Sequence, residues 1–379
     1  MLPSLRQLLW YGAPAATAAL LAVLSFLLIG QTPLLRALGL AAAIGGVALT
    51  LRRMGGLMSL AGGLALAYSP AFWAQTGGGS SAPATIVIAL GAAGALGIAL
   101  LIAFARRPYV ATAVALVIFA GVFFSGLGEA RSLRLTVLAS AWLIYLLVQT
   151  VMETNPRPGE QPPARLRASY RAGLLLILSA ATLNDPLFVL WTPAVVLGLT
   201  QTRTRIPVWY WIALGVVAIL GARGLVLAYY DPAVWGMTTE VASSMRRGIP
   251  YLVAAGWRDG ARWVDTFALL ASQFTVTGVL LGLVGLARMS RWYPALGTVM
   301  MVAYGCFFAF GLAYFGSNRS TLLLPLSMIQ VFFMTYAIHA IGQWTSKALR
   351  VPETLTVRWF APLVYALLPI TLLVQIITG

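Results

Sequence analysis

Eleven apolar runs follow one another along the 379 residues and leave little chain between them. Each is close to the roughly 20 residues that a helix needs to cross a bilayer core. They fall at Leu9–Ile29, Leu34–Leu51, Leu57–Trp73, Thr85–Ala105, Tyr109–Leu127, Leu133–Met152, Val208–Tyr230, Trp263–Ala287, Tyr293–Phe315, Leu322–Ile341 and Trp359–Ile377. Hydrocarbon offers no partner to a backbone N–H or C=O, so such runs close their hydrogen bonds internally as α-helices. The chain is 60% hydrophobic and 9% charged, which no soluble globular domain matches. The expected fold class is therefore all-α: a polytopic integral membrane protein with about twelve transmembrane segments, the twelfth a broken or re-entrant hairpin. Leu9–Ile29 has no small-residue cleavage site after it, so it is expected to stay as a span.

The twelfth segment, Arg171–Thr200, reads RAGLLLILSAATLNDPLFVLWTPAVVLGLT and is broken at Asn184-Asp185-Pro186. One straight helix would carry Asp185 to a depth where an aspartate costs about 2.5–3.5 kcal/mol. Pro186 and Pro193 would each remove a backbone donor. The alternative is two half-helices joined at a polar turn and returning to the side they came from. With a cytoplasmic N-terminus and a returning hairpin, 16 of the 25 basic residues are cytoplasmic, against 8 outside and Arg223 within a span. A single span changes the split to 14 against 10, so the positive-inside rule prefers the hairpin. Glu129, Asp185, Asp231, Glu240, Asp259 and Asp265 then face outward.

The expected organisation is a six-span bundle over residues 1–152, a Pro- and Arg-rich cytoplasmic linker over 153–170, and a second bundle over 171–379. The second bundle contains the hairpin (171–200) and an outer amphipathic loop (231–262), whose Trp235, Tyr251 and Trp257 suit the headgroup level. The expected location is the bacterial cytoplasmic (inner) membrane. Net charge is +16, but the arginines sit between apolar runs and form no polar face, so nucleic acid is not an expected partner.

Several chemistries are excluded by residue type. A single histidine, His339, rules out a His-rich metal site, paired-imidazole haem ligation and a Ser-His-Asp triad. No lysine lies mid-span, no phosphate-binding glycine loop occurs, and the lone Cys306 cannot form an intrachain disulfide. No metal or cofactor is expected. What remains is a set of outer carboxylates beside outer arginines, the residue types that chemistry on a lipid-linked phosphate requires: cations for the phosphate oxygens, a carboxylate for the proton. The candidate catalytic residues are Asp185 and Glu129, and the candidate substrate-binding residues are Arg223, Asp231, Arg246, Arg247, Arg258 and Arg262. The plainer alternative is that these are interfacial charges and that Arg223 pairs with Asp231 or a headgroup.

Three segments carry a resemblance. Leu64–Gln75, LALAYSPAFWAQ, Leu175–Leu199, LLILSAATLNDPLFVLWTPAVVLGL, and Asp265–Met289, DTFALLASQFTVTGVLLGLVGLARM, resemble the GT-C membrane glycosyltransferases, in particular their protein O-mannosyltransferase-like branch, and Phe308–Ser327 resembles the spans that follow. The resemblance implies transfer of sugar from a polyprenyl-phosphate donor at the outer face, with an acid in the first outer loop as base. This chain departs from that pattern. Gly30–Leu34 is short and has no acid, Asp185 stands where the family often has histidine, and Gly77–Pro83 replaces a longer extension. The alternatives are a catalytically inactive GT-C-derived scaffold or accessory subunit among other integral membrane subunits, and a transporter. No internal repeat supports the last.

Overall fold

The computed structural model describes residues 5–77, 133–153, 164–202, 205–230, 258–314 and 319–378, and every regular element among them is helical. In chain order the main helices are α1 (Leu5–Leu28), α2 (Leu34–Leu51), α3 (Gly56–Ala67), α4 (Pro70–Trp73), α5 (Leu133–Glu153) and α6 (Ala164–Asn184). They continue as α7 (Thr192–Thr200), α8 (Val208–Tyr230), α9 (Gly260–Trp292), α10 (Pro294–Ala313), α11 (Leu324–Leu349) and α12 (Ala361–Thr378). Eight helical stretches among the described residues are long and apolar enough to cross a membrane. The expected spans Thr85–Ala105 and Tyr109–Leu127 lie outside the described residues. Leu57–Trp73 divides into α3 and α4 at Ser69-Pro70, because a proline opens a new helix more readily than it continues one.

Helical stripes of exposed apolar residues mark the lipid-facing surfaces. Val208, Ile212, Val216, Ile219 and Val226 form one on α8, and Leu363, Leu367, Ile370, Val374 and Ile377 form another on α12. Such stripes are stable against hydrocarbon and unstable in water. The protein is a membrane-embedded helical chain.

The described helices fall into two compact units, the first containing α1–α4, α9, α11 and α12. Here α1, α2 and α3 pack on one another, with Gly63 set closely against Ala18, Ile44 and Ala48. Helix α9 lies on α11 through Gly282 and Gly285. A Cβ at Gly285 would overlap the Phe333 carbonyl, and one at Gly282 would overlap the Gln330 side chain. Small residues allow this approach, on which helix association in lipid depends.

Helix α9 is not continuous. Phe274 (φ −136°, ψ 16°) and Thr275 (φ 64°, ψ 167°) leave the helical region. A β-branched residue at that positive φ is strained by about 1–3 kcal/mol, so its surroundings must impose it. Two buried glutamines flank the break. Gln273 Oε1 accepts a hydrogen bond from the Ala71 amide at 2.7 Å, satisfying an orphan donor in the first turn of α4. Gln330 of α11 donates through Nε2 to the Gly278 carbonyl at 2.9 Å. Several basic residues of this unit gather at one end. Arg52 and Arg53 lie in the turn after α2. Arg288 stacks on Trp292 and Trp344 at 4.2 and 4.6 Å, with Arg291, Lys347, Arg350 and Arg358 at the adjoining helix ends.

The second unit contains α5–α8 and α10 from Thr298 onward. Its contacts trace the path of the Arg171–Thr200 segment. Gly173 of α6 lies against Leu146 of α5, where an added Cβ would meet Cδ1 at 2.9 Å. Asn184 and Asp185 bond to Thr136, ten residues nearer the start of α5. Gly198 of α7 is back at the level of Leu147 and Val151, at 2.7 and 3.4 Å. The chain therefore descends along α5, turns at Asp185 and returns. In a Cys306→Ala background, cysteines placed at Ser169 and Thr200 are expected to react with an impermeant maleimide from the same face of the membrane. Reaction from opposite faces would show that the segment crosses.

Candidate functional site

The reversal at Asp185 is built by its own sequence. Pro186 restricts the residue before it to extended backbone, and Asp185 sits at φ −144°, ψ 109°. Its amide still donates to Ala181 O at 2.7 Å, completing the last turn of α6, and its carbonyl accepts from Phe188 N at 2.9 Å. The carboxylate is an N-cap: Oδ1 accepts from the Leu187 amide at 3.1 Å, at the start of the 3₁₀ segment Pro186–Trp191. Oδ2 accepts from Thr136 Oγ1 of α5 at 3.0 Å, and Thr136 Oγ1 in turn accepts from Asn184 Nδ2 at 3.2 Å. Asp185 has 0% exposure. Oδ1 thus helps to hold the turn and Oδ2 to dock it on a neighbouring helix.

Apolar packing fixes the rest of the turn. Leu187, Phe188 and Trp191 are buried, and the Trp191 ring stands edge-on to Phe307 at 5.1 Å. Gly221 and Gly224 bring α8 onto the turn, where a Cβ would approach Val189 and Pro186 to 2.7 Å. Among the described residues, no hydrogen-bond partner reaches the buried Trp191 indole N–H or the buried Thr182 and Thr192 hydroxyls. Each such group costs about 1–3 kcal/mol, so the close apolar fit around them must offset it.

Three of the other candidates lie among the described residues. Arg223 is exposed and lies on the face of α8 opposite Gly221 and Gly224, so it points away from the turn that holds Asp185. Arg258 and Arg262 belong to the first unit, at the start of α9. There Asp259 caps the helix by accepting from Ala261 N at 2.9 Å, Arg258 is exposed and Arg262 is half-buried. Glu129, Asp231, Arg246 and Arg247 lie outside the described residues. Three residues with structural authority, Thr136, Gln273 and Gln330, went unmarked in the sequence. The available signal for the two glutamines was an amide inside an otherwise apolar run.

A general base must reach the proton it removes to within hydrogen-bond distance. The Asp185 oxygens accept from Leu187 N and Thr136 Oγ1 within a fully buried site. No known family model matches the chain, and no curated protein or solved structure matches it either.

Asp185→Ala removes the cap and the acceptor for Thr136, and is expected to destabilise the detergent-solubilised protein by about 2–4 kcal/mol in a denaturant titration. Asp185→Asn keeps a capping oxygen and is expected to cost less than half as much. Equal losses in the two variants would show that the negative charge, and not the cap, is what the turn requires.

Proposed function

We propose that this chain is a GT-C-like integral membrane protein that works as a non-catalytic subunit of a larger membrane assembly, on a scaffold shared with enzymes that use polyprenyl-phosphate sugars. The observation that carries this reading is the commitment of both Asp185 oxygens to the hairpin turn within a fully buried site. The first connection supports it. Gly30–Pro33 is a tight turn, with Gly30 N bonded to Ser25 O, Thr32 N to Phe26 O and Gln31 at φ 46°, and it carries no acid. The GT-C part of the reading is supported by packing: Leu64–Gln75 and Asp265–Met289, two of the segments that resemble the family, meet in the Ala71–Gln273 hydrogen bond. The chain lies in a bacterial cytoplasmic membrane with about twelve spans and a cytoplasmic N-terminus. The end rich in arginine and lysine is inside, and the hairpin is re-entrant.

A second reading, sugar transfer at the outer face, rests on Arg258 and Arg262 beside the capped start of α9. One purification decides between them. Protein isolated in mild detergent is expected to carry a constant integral membrane partner and to transfer no hexose from polyprenyl-phosphate donors to peptide, glycan or lipid acceptors. Turnover that disappears in Glu129→Gln or Asp185→Asn would establish the enzyme.

A further inference from the structure

The first unit contains a groove of about 380 Å³ between α9, α11 and α12. Thr275 and Leu281 of α9, Ile341 and Thr345 of α11, and Phe360 and Leu368 on the α12 side bound it. Its walls are almost wholly apolar and it is open along one side, so ordered water has too few partners to fill it and a lipid chain can enter it from the bilayer. One end lies at the helix break, where Thr275 is exposed. The other reaches Thr345 and Phe360, within two residues of Lys347 and Arg358.

Length and charge together identify an occupant. From Phe360 to Leu368 the groove runs about 12 Å along the helix axis, close to half the ~30 Å hydrocarbon core and so to one leaflet. The basic end carries Arg288, Arg291, Lys347, Arg350 and Arg358, and from residue 266 onward the only acid in the sequence is Glu353. Lys347, Arg350 and Arg358 are exposed. Trp344 and Trp359, at headgroup level, are exposed beside them. We propose that the groove binds one anionic glycerophospholipid of the adjoining leaflet, an acyl chain lying between α9 and α12 and the phosphate held by Lys347, Arg350 and Arg358. The site is independent of whether the chain transfers sugar.

Protein delipidated in neutral detergent and given equimolar phosphatidylglycerol and phosphatidylcholine is expected to retain one phosphatidylglycerol in native mass spectrometry, with about tenfold preference. The triple variant Lys347→Gln, Arg350→Gln, Arg358→Gln, altered only at exposed positions, should bring that ratio to about one. Ile341→Trp fills the groove and should abolish retention of either lipid while leaving the melting temperature unchanged. If Ile341→Trp does not fold, the triple variant alone decides. Equal retention of both lipids by the unaltered protein, or a preference that survives the triple substitution, overturns the proposal. Displacement of phosphatidylglycerol by an equimolar polyprenyl phosphate overturns its assignment to a glycerophospholipid.

Discussion

A helix inside a bilayer can be interrupted only where other protein groups take the hydrogen bonds around the break. Among the described residues, the chain is interrupted in that way at the hairpin turn and at the break in α9, and at each a buried polar side chain is joined to a distant part of the sequence. At the hairpin turn the Asp185 carboxylate caps the 3₁₀ segment and binds Thr136, 49 residues earlier. At the break in α9, Gln273 binds the Ala71 amide 202 residues earlier, and Gln330 binds the Gly278 carbonyl. These bonds have no competition from water in hydrocarbon, and their loss would leave buried groups unpaired.

The rest of the packing follows from these anchors. With the turn docked on α5, Gly221 and Gly224 can seat α8 on Pro186 and Val189, which turns Arg223 to the opposite, exposed face. With Gln330 bonded across the interface, Gly282 and Gly285 bring α9 against the backbone of α11. The strained Thr275 then lies at the inner end of a groove whose other end is basic. The Asp185 cap, buried and bonded at both oxygens, is the feature on which the proposed non-catalytic role rests.

Much of this was legible in the sequence. Apolar run length located the helices, because backbone satisfaction in lipid leaves helix as the solution, and Asn184-Asp185-Pro186 announced a break through an N-cap residue followed by proline. The break in α9 was not legible. Phe274 and Thr275 are neither glycine nor proline, so no local preference marks the position, and the conformation is imposed by tertiary contacts at Gln273 and Gln330. The role of Asp185 was half legible. Its polarity in an apolar segment drew attention to it, but the Thr136 hydroxyl lies on another helix and no local pattern foretells the pairing. Arg223 shows the same limit, since its orientation is set by which face of α8 carries the glycines.

Each interruption is held by its own side-chain bond, Asp185 to Leu187 at one and Gln273 to Ala71 at the other. Amide hydrogen exchange in detergent reads this directly at Leu187 and Ala71, the two amides those side chains accept from. Both should be protected in the unaltered protein. Asp185→Ala should release Leu187 and leave Ala71 protected, and Gln273→Ala should do the reverse. Unchanged protection in either variant, or simultaneous loss at both amides, would contradict it.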